Sequence, residues 1–150
     1  MLSSKMTSVN SVKLPAIYNK IDWSKVSGTV CDYGCGRYTD HIREFLRKKE
    51  IGYNGFDPYW YPDGIIEGDI FICSNVLNVI QDEQEMHRVH NVLINSGKPY
   101  FITVYEGDCS GMGRVTKVDC YQRNEPLKDY AYNGENIKKK VLTNHVDMIK

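Results

Sequence analysis

The sequence predicts an α/β fold built on a doubly wound, mostly parallel sheet, and three observations carry that prediction. Apolar runs of strand length recur at Thr29–Tyr33, Asp69–Asn75 and Tyr100–Tyr105. Amphipathic, helix-spaced stretches separate them, and the first run breaks into a tight glycine turn before the first of those stretches. Strands alternating with helices imply parallel pairing through crossovers, with ligands at the carboxyl ends of the strands.

The elements follow in order. Residues 1–12, Ser-rich and lacking the apolar core of a signal peptide, read as a flexible N-terminal segment, and residues 13–150 as a single domain. Pro15 to Ile21 reads as a short helix ahead of the first strand. In Asp32-Tyr33-Gly34-Cys35-Gly36, both glycines lack a Cβ, so the turn can take conformations closed to other residues and admit a ligand against the main chain. Thr39 or Asp40 can start a helix that turns Ile42, Phe45 and Leu46 inward and Arg43, Arg47, Lys48 and Lys49 mostly outward. Gly52 to Asp57 then reads as a second strand ending in an acid. Asp57 follows Gly36 by 21 residues, close to the interval at which a strand-end carboxylate meets ribose hydroxyls in such folds. After Asp69–Asn75, the stretch Val76–Ile80 leads to Asp82 and Glu85, a helix start, and Met86, Val89 and Leu93 form an inward stripe up to Gly97. Glu106 to Gly113 reads as a loop and a candidate lid. Beyond Lys138-Lys139-Lys140, the tail reads as a closing strand pair.

The dinucleotide fingerprint G-x-G-x-x-G/A fits poorly, because its third small position is Thr39. An aspartate two residues before the first glycine, followed by Gly34-Cys35-Gly36, instead resembles the first motif of class I methyltransferases that use S-adenosyl-L-methionine. The resemblance implies a Rossmann-like fold and a cationic cofactor. Its methionine part would lie on Tyr33, Gly34, Cys35 and Gly36, with its ammonium held by Asp32 directly or through water. Its ribose would lie on Asp57, and its adenosine would be flanked by Pro58 and Tyr59. Tyr59 or Trp60 would either pack on the adenine or belong to the core. Asp57-Pro58-Tyr59-Trp60 is similar to the Asp/Asn-Pro-Pro-Tyr motif of amino-methylating DNA enzymes, but it closes the second strand, whereas theirs closes the fourth.

Together with Asn75-Val76-Leu77-Asn78-Val79-Ile80, these motifs resemble methyltransferases associated with DNA phosphorothioation systems and their small phage-like relatives. Gly113-Arg114-Val115-Thr116-Lys117 with Tyr121-Gln122 is similar to a further pattern in those proteins. The likeness covers patches between residues 14 and 123 and leaves the methyl acceptor unassigned. Asn75 and Val76 join the cofactor candidates, and Ser74, Asn78, Arg114, Lys117 and Gln122 are the substrate candidates. Asn75 either accepts a hydrogen bond from an acceptor amine or caps the following turn. The chain departs from the family pattern between Pro58 and Gly68, where eleven residues are too few for a helix and a complete third strand. Either the crossover is abbreviated, giving a minimal class I methyltransferase fold, or the strand order differs. Asp69 is a weak substitute for the adenine contact that the missing loop would carry.

Charge is balanced overall, 19 Lys and Arg against 19 Asp and Glu, but unevenly placed. Residues 51–111 hold two basic against nine acidic residues, which favours a cationic ligand on the expected cofactor side. Arg114, Lys117, Arg123 and the lysine triplet could meet phosphates, and Tyr121 or Tyr130 could stack on a base, yet the balanced charge makes a nucleic-acid partner the less favoured one. Five cysteines without an export signal point to reduced thiols in a cytoplasmic compartment, with Cys31, Cys35 and Cys73 as core residues and Cys109 and Cys120 the more exposed pair. His87 and His90 read as a solvated helix face, so no metal is expected. No run is long and apolar enough for a membrane span. Three functions remain open at this point: a methyltransferase acting on a small molecule, nucleotide or nucleic acid, a module that holds the cofactor without transfer, and a degenerate interaction protein.

Overall fold

The computed structural model describes residues 12–132 and 134–150. All of the expected N-terminal segment except Val12 lies outside them. A six-stranded sheet has the order β2-β1-β3-β4-β8-β7, formed by β1 (Thr29–Tyr33), β2 (Gly52–Phe56), β3 (Ile70–Ser74), β4 (Tyr100–Thr103), β7 (Asn136–Lys138) and β8 (Val141–Thr143). Strands β1 to β4 pair in parallel, while β8 runs antiparallel to both β4 and β7. A separate two-stranded hairpin joins β5 (Arg114–Lys117) to β6 (Cys120–Gln122). The α/β class and mostly parallel sheet are therefore as the strand-helix alternation predicts.

Two helices clothe opposite faces. Helix α1 (Asp40–Arg47) buries Ile42 and Leu46 against Val30, Ile70, Ile72 and Phe101, together with Ile17, Tyr18 and Ile21 from the segment before β1. Helix α2 (Glu83–Ile94) buries Met86, Val89 and Leu93 against Cys31, Tyr33, Phe71, Cys73 and Ile102. Alternate residues of β1 and β3 thus face alternate cores, the period-2 consequence of a sheet covered on both sides. Asp82 caps α2 by accepting the Glu85 amide at 2.9 Å. Thr39 precedes α1 without a side-chain cap bond.

The abbreviated crossover is what the structure contains. After β2 the chain runs through 57–69 with no strand between, then enters β3 on the far side of β1. The order therefore reverses at β1, and a doubly wound sheet opens a crevice at the carboxyl ends of its strands at such a reversal. Asp69 lies at the opposite, amino end of β3, where its carboxylate accepts the Thr29 amide at 2.8 Å. That position removes it as an adenine contact.

Several residues expected at the surface are buried. His90 is fully buried, with Nε2 2.7 Å from Glu135 and its ring edge-on to Tyr132, because those two residues fold over α2. Cys120 is buried because β6 leans on the turn Leu77–Val79. Tyr130 belongs to the core and cannot stack on a base.

Arg123 is buried as well. Its guanidinium donates to the carbonyls of Ile80 at 2.9 Å and Gln81 at 3.3 Å and pairs with Glu125. It clamps the chain just after β6 to the entry of α2, and it is not a phosphate contact. Arg123→Ala is expected to cost about 2–3 kcal/mol in urea denaturation, since charge-assisted bonds to otherwise buried carbonyls are lost. Arg123→Lys should recover little of that, because an ammonium cannot reproduce the fork. The lysine triplet is also engaged within the chain. Lys138 and Lys139 reach the carbonyls of Ile149 and Lys150, and Lys140 pairs with Glu106 at 2.8 Å.

Candidate functional site

A cavity of about 780 Å³ opens where the order reverses, at the carboxyl ends of β1, β2 and β3. Its wall takes in all of Asp32, Tyr33, Gly34, Cys35, Gly36, Asp57, Pro58, Tyr59, Asn75 and Val76, and also Ser74. These ten cofactor candidates come from three separate loops, so parallel pairing of the strands is what gathers them. Asn78, Arg114, Lys117 and Gln122 do not line it. Asn78 is buried and donates to the Gln122 side chain at 3.1 Å, while Gln122 donates to the Tyr105 carbonyl at 2.7 Å. Arg114 and Gln122 border a separate concavity of about 420 Å³ beside the hairpin, and Lys117 lies on that hairpin. The loop 106–113 does not line the larger cavity; its Gly107 and Asp108 border the smaller one.

Asp32 ends β1 as a buried carboxylate. Its Oδ2 accepts the hydroxyls of Tyr18 at 3.0 Å and Tyr53 at 2.8 Å, leaving Oδ1 as its unengaged oxygen among the described residues. Burial raises its pKa to about 6, against the lowering effect of the two hydroxyl bonds. Tyr53 reaches Asp32 by lying across Gly55, where a Cβ would come within 3.0 Å of the tyrosine ring. Both tyrosine phenols are pushed upward, first by burial and then by the neighbouring carboxylate, so they stay protonated as donors. The Cys35 thiol is likewise raised by burial and stays protonated.

The glycine turn has two different jobs. Gly34 adopts φ +84° with its α-carbon pressed toward Val76, so a Cβ would overlap that side chain. Gly36 adopts φ +78°, and a Cβ there would meet no atom within 4 Å. Its bare backbone borders the cavity. The Gly36 amide donates to Asp57 Oδ2 at 3.0 Å, and Asp57 Oδ1 accepts the amides of Tyr59 at 2.9 Å and Trp60 at 3.1 Å. A carboxylate has about four acceptor sites. Asp57 therefore clamps the two loops together and keeps capacity for about one further donor, fewer than contact with both ribose hydroxyls would need.

Asn75 holds a left-handed backbone, φ +57°, a conformation asparagine tolerates better than most residues. Its amide donates to the Thr103 carbonyl at 2.8 Å, and the N-cap position of the following turn is Val76, with no side-chain cap bond. Ser74 Oγ accepts from Thr103 at 3.4 Å.

Sequence reasoning missed three contributors. Lys13, Leu14, Pro15, Ala16 and Asn19 border the cavity from the segment before β1, His41 enters from α1, and Glu85 and Arg88 enter from α2. The i, i+3 spacing of Glu85 and Arg88 predicts their mutual ion pair, found at 2.6 Å, but not that it borders a cavity. Arg37 packs its guanidinium 5.1 Å from the Trp60 ring and 5.2 Å from the Tyr38 ring. Trp60 therefore meets a cation on one side. Among the described residues, no group of three or more His, Cys, Asp or Glu gathers in a way that could hold a metal, and no helix is long and apolar enough to cross a membrane.

Comparison of the chain with protein-family models, with curated proteins and with solved structures finds no match.

Proposed function

We propose that this chain is an S-adenosyl-L-methionine-dependent methyltransferase of minimal class I form, lacking the family's third strand and working in a reducing cytoplasm. One observation supports the reading: the buried Asp32 carboxylate, with one oxygen unengaged among the described residues, lines a cavity at the sheet's point of reversal together with the bare backbone of Gly36. The part of the wall next to the glycine turn carries the carboxylates of Asp32 and Asp57. A pyrophosphate would sit against a buried carboxylate, whereas an ammonium or sulfonium would be attracted to it.

When bound, the cofactor supplies an electrophilic methyl on a cationic sulfur, open to in-line attack. The residues of the chain do the positioning. Asp32 and the turn Tyr33–Gly36 hold the cationic amino-acid part, and Asp57 accepts one ribose hydroxyl through its remaining lone pair. Ser74 and Asn75 stand at the end of β3 as polar groups for the acceptor. Orientation within a water-poor crevice can supply several kcal/mol without a catalytic base.

The test is titration calorimetry and thermal unfolding with S-adenosyl-L-methionine, S-adenosylhomocysteine and NAD. At a hundred times its dissociation constant, a ligand stabilises by about 2.7 kcal/mol, which for a chain of this size raises the unfolding midpoint by several degrees. Both adenosyl ligands should do so and NAD should not. Absence of any shift with the first two overturns the reading. A second reading, a module that holds the cofactor without transfer, is favoured by the placement of Asn78, Arg114, Lys117 and Gln122 outside the cavity. Tight binding with no S-adenosylhomocysteine formed across an acceptor panel would select it.

A further inference from the structure

The cavity borders both cores of the sheet. Asp32, Ile42 and the segment Lys13–Asn19 lie on the α1 side, while Tyr33, Phe56, Val76, Ile80 and Val89 belong to the α2 side. The α2 part is an apolar wall, and the only charged side chains that α2 adds to it are Glu85 and Arg88. They bind each other twice, Arg88 Nε to Glu85 Oε2 at 2.9 Å and Arg88 Nη2 to Glu85 Oε1 at 2.6 Å. Arg88 also interacts with the Tyr33 hydroxyl.

That arrangement has a recognisable chemistry. Aromatic and branched side chains suit the face of a flat heterocycle, and one carboxylate with one guanidinium suits an edge that carries a donor next to an acceptor. Each Glu85 oxygen accepts one bond from Arg88 and keeps a further lone pair, and Arg88 keeps unengaged N–H groups. The Arg88 bond keeps the Glu85 carboxyl below its ordinary range, hence ionised and able only to accept. An exocyclic amino group beside a ring nitrogen satisfies both partners, while a carbonyl oxygen at the same place would face the carboxylate. The abbreviated 57–69 connection leaves no third-strand loop to supply such an edge contact, and Asp69 is at the wrong end of its strand.

Resting on the cofactor reading above, we infer that the Glu85–Arg88 pair on α2 is the base-reading element of the site, selecting a 6-aminopurine over a 6-oxopurine in place of the missing third-strand loop. Glu85 is the specificity-determining acceptor and Arg88 its orienting partner and donor.

The experiment compares S-adenosylhomocysteine with its deaminated counterpart, S-inosylhomocysteine, by calorimetry on the wild-type chain and on Glu85→Gln. The wild-type chain should prefer the adenosyl ligand by about tenfold or more, as sites built to hydrogen-bond one polar group discriminate against its replacement. In Glu85→Gln, whose amide can turn to offer either a donor or an acceptor, the preference should fall severalfold, the remainder being held by Arg88, which still faces a protonated ring nitrogen in the inosyl ligand. The pair is a part-exposed i, i+3 contact that contributes little to stability, so the variant should unfold within a few degrees of wild type. An adenosyl preference unchanged in Glu85→Gln overturns the inference alone. Failure of the wild-type chain to bind either ligand overturns the cofactor reading and this inference with it.

Discussion

Gly36→Val is expected to weaken S-adenosyl-L-methionine binding by about a hundredfold or more while leaving the fold intact, and Gly34→Ala to do the reverse. Both positions sit in the left-handed region, at φ +78° and φ +84°, so any side chain at either incurs roughly 1–2 kcal/mol of backbone strain. There the likeness ends. A Cβ at Gly36 meets no protein atom within 4 Å, so the added side chain occupies cavity rather than core. Its effect on stability should stop near the strain term, a fall of a few degrees in the unfolding midpoint, whereas a ligand lying on that backbone would have to withdraw from it. A Cβ at Gly34 overlaps Val76, which adds about 1–3 kcal/mol of overpacking to the same strain. Calorimetry and thermal unfolding on the two variants separate the roles. Equal loss of affinity in both would show that the two glycines do not have separate roles, and a Gly36→Val variant that binds normally would show that no ligand lies on the turn.

Much of this site was legible because its parts are local. The strand, the glycine turn, the acid after β2 and the polar end of β3 each announce themselves within a few residues, through β-branched runs, φ-permissive glycines and capping acids. The helices were legible for the same reason, with Met86, Val89 and Leu93 buried as their spacing requires. What could not be read was set by partners far along the chain. Nothing near Tyr18 marks it as a ligand of Asp32, because the bond forms only after the Pro15–Ile21 segment docks across the strand end. Arg123 reads as a solvated cation until the carbonyls of Ile80 and Gln81 are brought to it across 43 and 42 residues. His90 reads as solvent-facing until Glu135 arrives from 45 residues away. The short 57–69 connection was legible as a departure from the family pattern. Its outcome was not, because spacing alone cannot say on which side of β1 the next strand will pair.

Asp32 is the group whose titration should be felt most, and in opposite directions for stability and for binding. Its folded pKa, about 6, lies above the ordinary aspartate value of 3.8 because burial disfavours the charge. The folded chain therefore binds this proton more tightly than the unfolded chain does. The stability it contributes is fully present below about pH 4 and is lost as pH rises through 6, an effect on the order of 3 kcal/mol at neutral pH. Asp32→Asn can keep a carbonyl oxygen for the Tyr18 and Tyr53 hydroxyls without carrying a charge. That variant should be as stable as wild type at pH 4 and more stable at pH 7.5, measured by urea denaturation at both. Binding runs the other way, because a cation beside the carboxylate favours the ionised form. Wild-type affinity for S-adenosyl-L-methionine should rise by up to about tenfold per pH unit between pH 4.5 and 6 and level off above 6.5, with proton release visible as a dependence of the binding heat on the buffer. In Asp32→Asn the affinity should be lower at pH 7.5 and flat over that range. A variant that is gained in stability but undiminished in affinity would leave the buried charge without a ligand to justify it, and a slope that persists in Asp32→Asn would assign the titration to another group.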